Sequence, residues 1–299
     1  MTALVMAARR FRIADFYELT KPRIAFLVVI TAVVGFLAGS EGPPAWATMC
    51  HLALGTALCA AAAGALNQVL ERDIDARMHR TRTRPIPAGR ISATEGGAFG
   101  ISAAVGSSVY LLVFVGWLTA LLAVCTLASY LLVYTPLKKI TWWNTLVGAA
   151  PGALPPVGGW AAARGDLGPE AGYLFAILFV WQLPHFLAIA WMYREDYARA
   201  DLAMLPVVDG GGRATGRQVM LFTTALVPIS LAPAVFGSAG SLYLVGAFIL
   251  GLTFLTVGLR MAWTRTVSSA RGLLLASVVY LPLLLGLLVV DRVRLDILR

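Results

Sequence analysis

The sequence predicts an all-α polytopic membrane protein: about nine transmembrane helices around a central cavity, in a single domain over residues 1–299. Three observations predict it. The chain is 59% hydrophobic and only 13% charged, against about 25% charged residues in soluble domains. Its mean hydropathy is +0.78. Apolar runs of about 17–25 residues, each long enough to cross a bilayer as a helix, recur along the chain. They leave no room for a soluble domain of useful size.

The elements follow in order. Residues 1–23 are basic but contain no long apolar core followed by a cleavage site. They are expected to be a cytoplasmic segment without a removable leader. The first span, 24–40, follows Lys21-Pro22-Arg23. The second, 46–66, ends where the chain changes character. His51 to Leu66 carries no formal charge, whereas residues 67–85, NQVLERDIDARMHRTRTRP, hold three carboxylates and five arginines. Spans 97–114 and 117–134 are divided only by Gly116. A basic Lys138-Lys139 pair and Trp142-Trp143, suited to an interfacial aromatic belt, precede span 144–163. That span contains GAAPGALPPVGGWAAA, whose small residues permit close helix packing and kinks. Span 173–192 holds His185 and runs into YREDYARAD, residues 193–201. Spans 218–236, 241–260 and 272–290 complete the count.

The formal net charge is +9, but its distribution argues against a nucleic-acid partner. With the N-terminus cytoplasmic, 20 of the 24 lysines and arginines fall in cytoplasmic segments. That is the positive-inside bias. Arg164, Arg292, Arg294 and Arg299 remain on the other side. Cys50, Cys59 and Cys125 lie inside spans, at spacings that suggest neither zinc nor disulfides.

The carboxylates need a separate explanation. With about 100° per helical residue, Asn67, Glu71 and Asp75 lie about 40° apart on one face. They form an oxygen-rich strip at the mouth of the second span, while Asp73 points elsewhere. Hard divalent cations take oxygen ligands, and Mg²⁺ commonly uses one or two carboxylates together with substrate phosphates. A second acidic group, Glu195, Asp196 and Asp201, follows the sixth span. Four crossings separate the clusters, so both open on one side. Arg80, Arg82, Arg84, Lys138, Lys139, Arg194 and Arg199 fall on that side too, and guanidinium forks suit phosphate oxygens. Mixed charge of this kind suits a metal diphosphate. A nucleic-acid surface would not want the carboxylates.

His185 is an ionisable group inside a span, a functional candidate by default. On a continuous helix it sits about 20° from the face of Asp196 and roughly 16 Å deeper. Gln182 lies one turn earlier on the same face. His51, near the opposite end of the second span, and His79, in the basic loop, read as structural and solvated.

These residues carry a resemblance. Asn67-Gln-Val-Leu-Glu71-Arg-Asp-Ile-Asp75 resembles the first acidic motif of the UbiA superfamily of intramembrane prenyltransferases. Arg80-Thr81-x-x-Arg84-Pro85 resembles its basic continuation, and Tyr134-Thr-Pro-Leu-Lys138-Lys139 its middle motif. Within the superfamily, Trp181-Gln182-x-Pro184-His185-Phe186 and Tyr193-Arg194-Glu195-Asp196-Tyr197-Ala198-Arg199 look most like the heme-farnesylating branch. Glu71 stands where many members have Asp. Asp201 is assigned no metal role.

The resemblance implies substrates, farnesyl diphosphate and heme B, and a divalent metal, Mg²⁺. It implies metal ligands Asn67, Glu71, Asp75, Glu195 and Asp196. Diphosphate contacts would come from Arg23, Arg80, Arg84, Lys138, Lys139, Arg194 and Arg199. Asn67, Asp75, Tyr134, Lys138 and His185 would act in catalysis, and His185 and Gln182 would face heme, His185 as iron ligand or as base. The small residues of span 144–163 offer room for a planar macrocycle. The setting implied is a bacterial inner (plasma) membrane with the diphosphate site cytoplasmic, and product passing to a downstream heme A synthase or terminal oxidase. Two alternatives stay open: a UbiA-type enzyme acting on a quinone precursor or chlorophyllide, and a membrane transporter without catalysis.

Overall fold

The computed structural model describes residues 12–298; the expectation about a leader rests partly on residues 1–11, outside that range. Nine long helices occur among the described residues and no strand does. They are α1 (Pro22–Gly39), α2 (Trp46–Leu70), α4 (Ala93–Phe114), α5 (Trp117–Ile140), α6 (Asn144–Arg164), α7 (Pro169–Met192), α10 (Arg213–Val235), α11 (Ser241–Thr264) and α12 (Val267–Leu298). Three short helices complete the order: α3 (Arg72–Arg77), α8 (Arg194–Arg199) and α9 (Leu205–Val208). Along the bundle α1 packs on α2, α2 on α4, α4 on α5, α5 on α6 and α6 on α7. Helices α10, α11 and α12 follow as neighbours, and α12 returns against α7 and α1. The chain is a multi-pass membrane protein.

Eight of the nine helices are long and apolar enough to span a bilayer by length and composition, and α6 falls outside that group. It is diluted by glycine and by Pro151, Pro155 and Pro156. It crosses nonetheless. The acidic clusters after α2 and after α7 are joined at one end, because Asp196 accepts from the backbone N–H groups of His79 and Arg80, at 3.2 and 3.3 Å. The number of crossings between them is therefore even. Helices α4, α5 and α7 supply three, so α6 supplies the fourth. At the opposite end Arg164, closing α6, pairs with Glu41 in the loop after α1.

The composition that lowers the hydropathy of α6 is what its position demands. A Cβ built on Gly35 of α1 would lie 1.9 Å from the Pro156 carbonyl oxygen of α6. One built on Gly159 would lie 1.8 Å from that of Ala32. The two backbones touch, which only small residues allow. Without a hydrophobic driving force between helices in lipid, such close packing supplies much of the association.

Helix α5 is not regular. Residues Ser129–Tyr134 form a π-helical stretch between two α-helical parts. The extra residue per turn shifts the face on which Tyr134 and Lys138 emerge relative to the first half of the helix. Cys59 is buried while Cys50 and Cys125 are exposed, and none forms a disulfide.

Candidate active site

The first acidic stretch does not continue α2 as one straight helix. The chain breaks at Glu71 (φ −101°, ψ 10°) and restarts as α3. The second stretch does the same at Tyr193 (φ −112°, ψ 23°), where α7 gives way to α8. The continuous helix expected between His185 and Asp196 is interrupted at Tyr193, and Asp196 belongs to the next helix. The two acidic stretches meet at this end of the bundle.

Asn67, Glu71 and Asp75 are all buried there. Each has a cationic partner from a different segment. Lys21 Nζ donates to Asn67 Oδ1 at 2.7 Å. Lys138 Nζ donates to Glu71 Oε1 at 2.7 Å. Arg84 Nη1 donates to Asp75 Oδ2 at 2.7 Å. Asn67 Nδ2 reaches Thr135 Oγ1, beside the π-helical stretch, at 3.5 Å. The other oxygen of Asp75, Oδ1, is buried and accepts no hydrogen bond among the described residues. A buried, unpartnered carboxylate oxygen is costly to leave unmatched. An all-oxygen set with one free lone-pair site fits a hard cation. Among the described residues no three His, Cys, Asp or Glu side chains converge.

The resemblance implies Arg23 as a diphosphate contact and does not name its neighbour Lys21. The structure brings Lys21 in and leaves Arg23 exposed. Lys21 has a left-handed backbone (φ 51°, ψ 59°) just before Pro22 opens α1. That turn is held from below: Gln68 Nε2 donates to the Leu19 carbonyl at 3.1 Å. Burial, then the neighbouring Arg84 and Lys138 cations, push the Lys21 ammonium down to about 7, against the pull of Glu71 and Asp75. A cleft of about 420 Å³, lined by Tyr17, Glu18, Lys21, Pro22, Arg23 and Ile24, opens beside it.

Aromatic faces stand close to the cations. Lys138 Nζ lies 4.6 Å from the Tyr134 ring centre. Gly148 of α6 makes room for that ring, since a Cβ there would meet it at 2.5 Å. The Arg80 guanidinium lies 4.7 Å from the Tyr193 ring and 5.6 Å from that of Tyr197, and donates to Tyr197 Oη at 3.1 Å.

Asp196 is buried and engaged by the His79 and Arg80 backbone and by the Arg199 guanidinium. Burial alone would raise its carboxyl; those backbone donors and Arg199 outweigh burial and hold it below the ordinary range. Asp196 is thus the joint between the clusters. Arg77 makes a second joint, donating to Asp201 Oδ2 at 2.6 Å and to the Ala200 carbonyl at 3.2 Å. Glu195, Lys139 and Arg194 are exposed and are not drawn into this network; Arg194 instead lies over Trp191, 4.9 Å from the ring centre.

Deeper in α7, Gln182 Nε2 donates to the Ala149 carbonyl of α6 at 2.7 Å, and its Oε1 occupies the space a side chain at Gly152 would take. His185 Nδ1 lies 2.7 Å from Ser277 Oγ of α12, and its ring stacks on Trp181 at 5.1 Å. At the far end of the molecule His51 bonds the Tyr110 hydroxyl at 2.6 Å and stacks on Phe114. His79 is exposed.

The profile of the UbiA prenyltransferase family matches residues 28–287. The protoheme IX farnesyltransferase of Solibacter usitatus is 50% identical over 287 residues, covering 93% of this chain and 98% of its own. That of Koribacter versatilis is 46% identical, covering 93% of each chain. Among solved structures, a digeranylgeranylglyceryl phosphate synthase superposes with a TM-score of 0.80 at 16% identity, over 95% of this chain and 99% of that one. A UbiA homolog from Archaeoglobus fulgidus bound to GPP and Mg²⁺ gives a TM-score of 0.65 at 16% identity, over 92% of this chain and 99% of that one. The chain belongs to the UbiA prenyltransferase family.

Proposed function

We propose that this enzyme transfers the farnesyl group of farnesyl diphosphate to a vinyl group of heme B, with addition of water, giving heme O and diphosphate. The observation that carries the reading is the convergence of Lys21, Arg84 and Lys138 on Asn67, Glu71 and Asp75 at one end of a membrane bundle. The acceptor is supported by the 50% identical protoheme IX farnesyltransferase.

The residues divide the work. Lys21, Lys138, Arg84 and Arg80 are placed to receive the diphosphate, with Arg23, Lys139, Arg194 and Arg199 around the rim. Asn67, Glu71 and Asp75 would hold Mg²⁺, with Asp196 and Glu195 as the second acidic group. Bound there, Mg²⁺ supplies neutralisation of charge on the leaving diphosphate. The carboxylates are already paired with cations, so substrate binding would exchange partners: the ammonium and guanidinium groups would turn to phosphate oxygens and free the carboxylates to hold a metal. The same cations then stabilise the negative charge that develops as the allylic C–O bond breaks.

The farnesyl cation needs protection from water. Tyr134, Tyr193 and Tyr197 offer π-faces worth roughly 0.5–2 kcal/mol each. The vinyl group attacks the farnesyl C1, forming a carbon–carbon bond, and the cation left on the heme side takes up water and releases a proton. His185 and Gln182 are assigned to the heme side. We place the enzyme in a bacterial inner membrane, with the charged end cytoplasmic and a heme A synthase or terminal oxidase receiving product.

Diphosphate release tests the reading. With purified protein in detergent, release from farnesyl diphosphate should require both Mg²⁺ and heme B. Release equally fast without an acceptor would defeat the heme assignment.

A further inference from the structure

The geometry points to Ser277 of α12 as a positioning residue that fixes the tautomer of His185 and leaves its Nε2 lone pair free to bind the iron of heme B. The inference rests on the heme-side reading of His185 given above. It starts from a count of protons. Ser277 Oγ lies 2.6 Å from the Leu274 carbonyl oxygen and 2.7 Å from His185 Nδ1. A carbonyl oxygen can only accept. Two oxygens 2.6 Å apart with no proton between them would repel, so the single hydroxyl proton of Ser277 points at Leu274. Ser277 Oγ is then an acceptor toward the imidazole, and Nδ1 must carry the proton. A neutral imidazole with Nδ1–H keeps its lone pair on Nε2. No hydrogen bond engages Nε2 among the described residues.

A second contact shows that Ser277 holds a ring pair. Trp181 Nε1 donates to the Ser277 backbone carbonyl at 2.9 Å. Trp181 and His185 stack at 5.1 Å, one turn apart on α7. One buried residue of α12 therefore grips both rings, one through its carbonyl and one through its hydroxyl. Metal-binding histidines commonly donate their other ring N–H to such an outer partner, whose loss typically weakens metal affinity about 10–100-fold. Pro184 sits beside His185 inside α7. Proline lacks the N–H that would tie this turn to the carbonyl four residues earlier. The external grip of Ser277 supplies an orientation that the helix alone holds less firmly.

The test is a spectroscopic titration of the full-length protein in detergent with ferric heme B, alongside the KM for farnesyl diphosphate. Wild type should show an imidazole-ligated Soret spectrum. His185→Ala should lose it and regain it on adding free imidazole. Ser277→Ala should bind heme about 10–100-fold more weakly with an unchanged KM for farnesyl diphosphate, as should the nearly isosteric Ser277→Cys. Ser277→Thr, which keeps the hydroxyl, should restore affinity. Wild-type affinity and spectrum in both Ser277→Ala and Ser277→Cys would overturn the role of Ser277. A wild-type spectrum that His185→Ala does not change would overturn the iron-ligand role, whereas failure of the whole functional reading would show separately as no farnesylated heme from wild type.

Discussion

At the residue scale the site is a set of pre-formed ion pairs. A buried carboxylate facing a buried cation is weak evidence of stability in itself, because desolvation offsets much of the attraction. Here two such pairs, Lys138–Glu71 and Arg84–Asp75, together with Lys21 on the Asn67 amide, store the two charge types that a metal diphosphate needs. Asp75→Asn keeps the shape but halves the acceptor capacity beside Arg84. It should lower kcat for diphosphate release by about 10²–10³-fold, with the protein still eluting as wild type by size-exclusion chromatography; activity within threefold of wild type would remove Asp75 from the site. Lys21→Met should raise the KM for farnesyl diphosphate at least about tenfold, the equivalent of one charge-assisted hydrogen bond. An Arg23→Met variant should change it less, because Arg23 is exposed. The resemblance implies Arg23, and not Lys21, as a diphosphate contact. What decides between neighbours is the left-handed turn at Lys21, held by Gln68, and periodicity carries no signal for such a turn.

At the element scale the helices were legible and their interruptions were not. Every apolar run of the sequence corresponds to a helix, since bilayer length and backbone satisfaction leave no other solution. The breaks at Glu71 and Tyr193, and the π-helical stretch Ser129–Tyr134, were not legible. No glycine or proline marks the first two, and local sequence pattern carries no other signal for them. The small-residue character of α6 was legible, together with its use in close packing. Gly159→Ala places a Cβ 1.8 Å from the Ala32 carbonyl oxygen, so α1 and α6 must separate. Overpacking of this kind costs about 1–3 kcal/mol, and the thermal midpoint in detergent should fall by several degrees. Gly158→Ala, with nothing within 4 Å of the new Cβ, should leave it within about a degree or raise it, since alanine favours helix over glycine.

At the scale of the whole molecule, the joined acidic clusters require α6 to cross, although its hydropathy alone would not predict it. The loop after α6 must then share a face with the loop after α1, as the Arg164–Glu41 pair indicates. Cysteine labelling in intact cells checks this, after the three native cysteines are replaced. Gly42→Cys and Gly165→Cys should react with a membrane-impermeant maleimide from outside, and Thr83→Cys only after permeabilisation. Labelling at Gly165→Cys with the Thr83→Cys pattern would mean that α6 does not cross.

The whole molecule serves one reaction, and the mass of its product tests that most directly. Purified wild-type protein would be given heme B, farnesyl diphosphate and Mg²⁺ in ¹⁸O-labelled water, and the porphyrin analysed by mass spectrometry. The expected product is a hydroxyethylfarnesyl heme whose new hydroxyl carries the ¹⁸O label. Unchanged heme B, together with prenylation of a quinone precursor under the same conditions, would contradict it.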